Sequence, residues 1–187
     1  LVSSRGLGDV YKRQEFIDGS WLLIIFAGND TTRNTISGAM KLLTENPNQK
    51  KLLLDDFSLM PNFVNDVIRC VSPVIHMRRT TTQETEVGNQ KLGVGEKIVM
   101  WYGAANRDPE IFENPDAFNI LRENSDQHLA FGIGRHTCLG KPIALMQLSE
   151  LYKQLLSRFP NIHMSGDWKV GPNNFVHTIQ EMPIKIA

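Results

Sequence analysis

The feature that most constrains this chain is a cysteine that lies in a glycine-rich loop directly before a helix. The loop, FGIGRHTCLG, runs over residues 131–140, and the residues after it predict a helix over residues 142–159. Backbone amides at the start of a helix stabilise an anion, so we expect the Cys138 thiol to lose its proton easily. Gly140 would let that helix lie close to a flat ligand, and Arg135 and His136 add cationic or donor groups beside the sulfur.

Two other interpretations of Cys138 stay open at this point. An isolated cysteine is often a small core residue that packs like an apolar side chain. A zinc site is a weaker alternative, because His136 and Cys138 supply only two ligands and no second pair of ligands lies nearby in the sequence.

Composition places the chain among ordinary globular proteins. Of its 187 residues, 41% are hydrophobic and 21% are charged, which suits one domain with a real core. Twenty basic residues balance twenty acidic ones, so no overall field favours nucleic acid or an anionic membrane as partner. The longest apolar run, Trp21 to Ala27, is much shorter than the roughly 20 residues of a membrane span. Two cysteines without a visible secretory signal indicate a cytoplasmic protein.

Hydrophobic periodicity predicts a mainly α fold with small β-sheets. We expect helices over residues 15–45, 47–55, 61–71 and 142–159, with proline near the start of the last three. Strands are expected near residues 74–77, 84–87 and 97–101, and a small antiparallel sheet over residues 162–187. Residues 106–127 predict a long irregular connection, which is uncommon in a compact domain unless it has a function.

A second polar motif, AGNDTT, occupies residues 27–32 in the middle of the long helix. A threonine hydroxyl can bond to a preceding carbonyl, and beside Gly28 this could open the helix and leave room for water. Asp30 next to Thr31 would then form a proton relay. The alternative is an ordinary solvent-facing polar patch.

These motifs resemble the cytochrome P-450 family. Residues 131–140 match its heme-binding signature Phe-x-x-Gly-x-His/Arg-x-Cys-x-Gly position by position, and residues 27–32 resemble its Ala/Gly-Gly-x-Asp/Glu-Thr-Thr motif. The resemblance covers residues 15–187 and implies the C-terminal, heme-binding half of the fold, truncated at its start. It implies heme b as cofactor and the following roles: axial thiolate ligand to iron, Cys138; cover over the sulfur, Phe131; propionate hydrogen bond, His136; glycines of the loop that bind the cofactor, Gly132 and Gly140; space over the heme, Gly28; delivery of protons, Asp30; and steadying of dioxygen and its protons, Thr31.

A third motif departs from the family pattern. The family carries Glu-x-x-Arg where this chain has Asp66-Val67-Ile68-Arg69. Residues three apart on a helix share a face, but aspartate is one methylene shorter than glutamate. Ala117 lies where many relatives have a partner arginine, and Arg122 is a candidate to replace it. We therefore expect a weakened ion-pair network, in which Asp66→Glu would improve heme retention.

Residues 73–80, PVIHMRRT, resemble the family strand that lines the substrate pocket and reaches the propionates. Arg79 aligns best with the propionate-binding arginine, whereas His76 is expected to be a packed or pocket-wall residue. The candidate pocket residues are all apolar, which favours a hydrophobic substrate, although each could equally be core: Leu23, Phe26, Ala27, Val74, Ile75, Phe175 and Val176.

The resemblance implies a monooxygenase that uses O2 and takes electrons from NAD(P)H through a ferredoxin and its reductase. We expect the ferredoxin to dock near Arg135 and Lys141. The residues of these motifs resemble those of a bacterial branch of the family whose members hydroxylate terminal carbons of alkanes, fatty acids or steroid side chains. Hydroxylation of a terpenoid or other ring compound is the alternative, and a non-catalytic heme-binding protein or an inert gene fragment is the alternative of another class. By itself, the fragment is expected to be inactive.

The first residues form a separate segment in our interpretation. SRGLGDVYKRQ, residues 4–14, resembles one translated frame of a transposase adapter, so residues 1–14 are expected to be non-native. The P-450 part would then begin near Glu15 and extend over residues 15–187.

Overall fold

The computed structural model describes residues 5–186, with side chains described for residues 13–186. The predicted mainly α architecture with small sheets is confirmed. The helices of the described residues are α1 Arg5–Glu45, α2 Pro47–Asp55, α3 Met60–Val71, α4 Tyr102–Ala105 and α5 Lys141–Arg158. Single 3-10 turns occupy Phe57–Leu59, Ser125–Gln127 and Gly134–His136.

Proline and a left-handed residue account for most helix boundaries. Pro47 and Pro61 occupy the first turns of α2 and α3, where a missing N–H costs nothing. Helix α3 ends at Ser72, whose φ of 43° lies in the left-handed region, directly before Pro73. These helices match the predictions within about a residue. Helix α1 is longer than predicted because it begins at Arg5 and not near residue 15. The foreign origin of residues 1–14 stays a prediction, and residues 1–4 lie outside the described residues.

The strands form four antiparallel pairs. Strand β1, His76–Thr80, pairs with β4, Lys97–Trp101, and β2, Thr85–Val87, pairs with β3, Gln90–Leu92. Near the end of the chain, β5, His163–Met164, pairs with β8, Ile184–Lys185, around the inner pair β6, Lys169–Val170, and β7, Ile179–Glu181. The prediction placed the first strand two residues early and missed β3, whose Gln-Lys-Leu sequence carries no strand signal of its own.

The core lies between the second half of α1, α3 and α5. The ring of Tyr152 on α5 meets Phe63 on α3 edge to face, with centroids 5.2 Å apart, and its hydroxyl donates to the Ile36 carbonyl on α1 at 2.5 Å. Helices α1 and α3 approach closely at Gly38, where a Cβ would lie 2.5 Å from a Val71 methyl carbon. The core thus joins the helix that carries the AGNDTT motif to the helix that follows Cys138.

The first half of α1 is apolar and exposed. Between 54% and 76% of the surface of each of seven large side chains faces outward: Phe16, Trp21, Leu22, Leu23, Ile24, Ile25 and Phe26. A continuous apolar surface of this kind marks a contact with another part of a protein or with a ligand. Within residues 5–186, no helix combines the length and the hydropathy needed to cross a membrane.

Candidate functional site

The loop before α5 is held by backbone hydrogen bonds that present Cys138 to the outside. The Cys138 amide donates to the Phe131 carbonyl at 2.9 Å, and the Gly132 amide donates to the Leu129 carbonyl at 2.8 Å. Gly132 and Gly134 have φ values of 67° and 75°, which a residue with a Cβ adopts only with strain. The two glycines therefore permit a loop that ends with an exposed thiol at the start of α5.

The surroundings of the sulfur combine apolar and cationic groups. Leu139 and Ile133 are 89% and 78% exposed on either side of Cys138. A Cβ on Gly140 would lie 3.8 Å from the Cys138 sulfur, so the helix start lies close to it. Arg135 and His136 are exposed in the 3-10 turn. The Phe131 ring packs against the His128 ring at 5.6 Å and beneath the Lys141 amine at 5.6 Å.

Helix α1 continues without interruption through the AGNDTT motif, so the predicted opening beside Gly28 is wrong. The Thr31 hydroxyl donates to the Ala27 carbonyl at 2.7 Å, and the Asn34 amide donates to the Asp30 carbonyl at 2.7 Å. Both side chains add a bond to carbonyls of their own helix without displacing its backbone. The Asp30 carboxylate pairs with Arg33 at 3.2 Å.

Space remains on the surface of α1 near this motif. A Cβ on Gly28 would meet no atom within 4 Å. One turn further on, a groove of about 490 Å³ runs between α1 and α5, lined by Thr32, Ile36, Met146, Gln147, Glu150 and Leu151. The two helices that carry the motifs thus flank one groove.

The structure brings four of the predicted pocket residues together at the first strand. Val74 forms an isolated antiparallel bridge with Val176, and the Ile75 amide donates to the Phe175 carbonyl at 2.9 Å. The His76 ring meets Trp101 edge to face at 5.0 Å, as expected of a packed residue. The remaining three, Leu23, Phe26 and Ala27, lie exposed on α1.

Two further features lie beside this cluster. Arg79 is exposed near the end of β1, with its guanidinium bonded only to the Arg78 carbonyl at 3.0 Å among the described residues. A cavity of about 730 Å³ is lined by Ile75, Trp101, Trp168, Ile179 and neighbours. That cavity includes neither the Cys138 loop nor the AGNDTT motif, so we place the candidate site elsewhere.

The ion-pair network around Asp66 is complete, so the shorter aspartate side chain does reach Arg69. The Asp66 carboxylate accepts from Arg69 Nε at 2.6 Å and from Arg122 Nε at 3.0 Å, and its second oxygen accepts from the Asn119 amide at 2.7 Å. The short side chain suffices because the irregular connection folds back onto α3. Arg122 supplies the second guanidinium, and the Ala117 carbonyl accepts from both arginines at 2.8 and 3.1 Å.

Sequence reasoning missed two residues that support this network. The buried Phe112 ring lies 5.2 Å from the guanidinium carbon of Arg69 and 5.9 Å from that of Arg122, which suits cation–π contacts. Asn106 is 0% exposed and bonds to Arg69 and Ser72 at the end of α3 and to Leu129 before the cysteine loop. The only available signal was the unusual length of the irregular connection that contains both residues.

The donor set fits a flat apolar cofactor with one sulfur ligand. The exposed sulfur of Cys138 lies among exposed apolar side chains, and Gly28 leaves open space on the surface of α1. Among residues 13–186, no three His, Cys, Asp or Glu side chains are grouped to hold a metal ion together. A zinc site made of side chains has no support there.

Comparisons with known proteins agree with this geometry. The family model for cytochrome P450 matches residues 13–183. A steroid C26-monooxygenase of Mycobacterium tuberculosis (strain CDC 1551 / Oshkosh) is 37% identical over 98% of this chain and 50% of its own length. Linalool 8-monooxygenase of Pseudomonas putida is 34% identical over all of this chain and 46% of its own.

Solved structures give the same result. Cytochrome P450-153 from Novosphingobium aromaticivorans superposes with a TM-score of 0.84 at 41% identity, over 89% of this chain and 43% of that one. The chain spans about a third to a half of the length of the curated relatives it matches. With a family match over most of its residues and the same fold at this level of identity, the chain belongs to the cytochrome P450 family.

Proposed function

We propose that the full-length protein is a heme-thiolate monooxygenase that inserts one oxygen atom of O2 into a hydrophobic substrate. The observation that carries this proposal is the exposed Cys138 thiol at the start of α5, presented by a glycine loop of the family signature. The sulfur lies at the N-terminal, positive end of α5, where a heme iron would take it as a thiolate ligand.

Each of the other site residues has a role in this proposal. Cys138 holds the iron of heme b, while His136 and Arg79 bind its carboxylates, for which their exposed donors are suited. When bound, the heme activates O2 with electrons that come ultimately from NAD(P)H. Thr31 steadies dioxygen and its protons, and the half-buried Asp30 carboxylate, which pairs with Arg33, delivers protons.

The test is a carbon monoxide difference spectrum of the full-length protein and its Cys138→Ser variant. We expect thiolate-type absorption in the wild type and its loss in the variant, with Cys70→Ser as the matched control that keeps it. An unchanged spectrum and turnover in Cys138→Ser would contradict the proposal. Heme binding without any product from a panel of substrates would favour a non-catalytic heme protein.

For the substrate we propose a long aliphatic chain that is hydroxylated at or near its end. Its support is the apolar cluster of Val74, Ile75, Phe175 and Val176, together with the similarity to a steroid C26-monooxygenase. The similarity to a linalool 8-monooxygenase supports the alternative, a terpenoid. Binding difference spectra with a fatty acid, an alkane, a steroid and two terpenoids separate these classes. A spectral response to terpenoids alone would exclude a long aliphatic chain as the substrate.

We further propose a ferredoxin as electron donor, bound at the surface beside the Cys138 loop. Arg135 is exposed there, and Lys141 extends over the Phe131 ring. An acidic partner would meet these charges, and its rate of electron transfer would fall as salt is added. Arg135→Gln should weaken that salt dependence, whereas Lys153→Gln on α5 should leave it unchanged.

A further inference from the structure

Asn106 joins the buried ion-pair network to the cysteine loop. The residue follows α4 and is 0% exposed, yet its carbonyl and both polar atoms of its side chain each have a hydrogen-bond partner. Its carbonyl accepts from Arg69 at 3.0 Å, and its amide group donates to the Ser72 hydroxyl at 2.9 Å. Its side-chain oxygen accepts from the Leu129 backbone amide at 2.6 Å.

The backbone hydrogen bonds that shape the cysteine loop begin at Leu129. Its carbonyl accepts the Gly132 amide at 2.8 Å, which closes the first turn of the loop. The next bond, from the Cys138 amide to the Phe131 carbonyl at 2.9 Å, closes the loop around the sulfur. The side-chain oxygen of Asn106 therefore holds Leu129 in place. Leu129 is the first residue of a series of backbone hydrogen bonds that ends at Cys138.

We propose that Asn106 is a positioning residue for the Cys138 thiolate, acting through its bond to the Leu129 amide. This inference rests on the proposed function, since it assigns the loop a metal-binding sulfur. Ser72 offers a matched control, because it contacts the amide nitrogen of the same side chain and not the oxygen that binds Leu129. Loss of Ser72 removes one buried bond of Asn106 and leaves the Leu129 bond in place.

The experiment uses full-length Asn106→Ala, Asn106→Asp and Ser72→Ala proteins. Hydrogen exchange at the Leu129 amide should be about tenfold faster in Asn106→Ala than in Ser72→Ala, as loss of one hydrogen bond implies. The carbon monoxide complex of Asn106→Ala should also lose its thiolate-type absorption about tenfold faster. Asn106→Asp keeps an acceptor for Leu129 and should retain both properties of the wild type.

Each outcome decides the inference. Equal exchange and equal spectral lifetimes in Asn106→Ala and Ser72→Ala would overturn it, because the effect would then be loss of stability alone. If Asn106→Ala does not fold, faster Leu129 exchange in Asn106→Asp than in Ser72→Ala would overturn it too. A wild type without thiolate-type absorption would instead refute the proposed function, so the two failures are distinguishable.

Discussion

Removal of the Asp66 carboxylate should be among the most damaging single changes in this chain. Asp66 and Arg69 are 0% exposed, and Arg122 is 7% exposed, so Asp66→Ala leaves two buried guanidinium groups without their counter-charge. Breaking a buried ion pair by removing one partner costs about 3–5 kcal/mol. The Asn119 amide also loses its acceptor.

An exposed pair in the same chain provides the control. Asp55 and Lys51 pair on α2 with side chains that are 60% and 75% exposed. Such a pair contributes at most about 0.5 kcal/mol, so Asp55→Ala should barely alter stability. The assay is urea unfolding of the full-length proteins, followed by circular dichroism and by heme absorbance. An Asp66→Ala midpoint equal to that of Asp55→Ala would refute the reasoning.

The same geometry reverses the expectation for Asp66→Glu. Both carboxylate oxygens already have partners within a cluster that excludes solvent, and an added methylene must displace one of them. Overpacking of this kind costs about 1–3 kcal/mol. Heme retention should therefore fall in Asp66→Glu, and a rise would contradict the packing argument.

Three further outcomes are expected. Gly38→Ala should destabilise the protein by about 1–3 kcal/mol because its Cβ meets Val71, and Val71→Ala should rescue it; a stable single variant would contradict the close approach. A Cβ at Gly28 would meet no atom, so Gly28→Ala should stabilise the heme-free protein by up to about 1 kcal/mol. The same change should weaken carbon monoxide binding to the heme-loaded protein, and unaltered binding would count against space over the heme at that position. Burial, aided by the Lys141 charge, lowers the pKa of His128 to about 4 in the folded protein. In the unfolded chain this side chain has its usual pKa of about 6.5, so as pH falls the unfolded chain binds a proton there before the folded protein does. Unfolding measurements should show stability falling between about pH 6.5 and 4 by up to about 3 kcal/mol, and His128→Phe should flatten that fall.

The local parts of the site were predictable from sequence because they depend on neighbouring residues. Pro47, Pro61 and Pro142 precede or begin apolar helical patterns, and the structure has helices beginning at or one residue before each. Gly132 and Gly134 allow the left-handed backbone of the cysteine loop. The family motifs are contiguous, so their recognition needed no knowledge of packing.

The failures involve pairing with a neighbouring strand or competition within a helix. Strand β3 depends on its pairing with β2, which its own composition does not indicate. The opening of α1 was expected from Thr31 and Gly28, but the side-chain bonds of Thr31 and Asn34 to their own helix left its backbone hydrogen bonding continuous.

The amino-acid sequence by itself determined helices α2, α3 and α5, the glycine loop and the position of the candidate thiolate at the start of α5, because dihedral preferences and helix periodicity act over a few residues. Only the tertiary structure decided that Arg122 and not residue 117 completes the Asp66 cluster, and that Asn106 joins this cluster to Leu129. Those contacts span 23 to 56 positions of the chain. Their formation depends on how the irregular connection folds onto α3, where buried charges and amides must find partners, and no local pattern specifies that path.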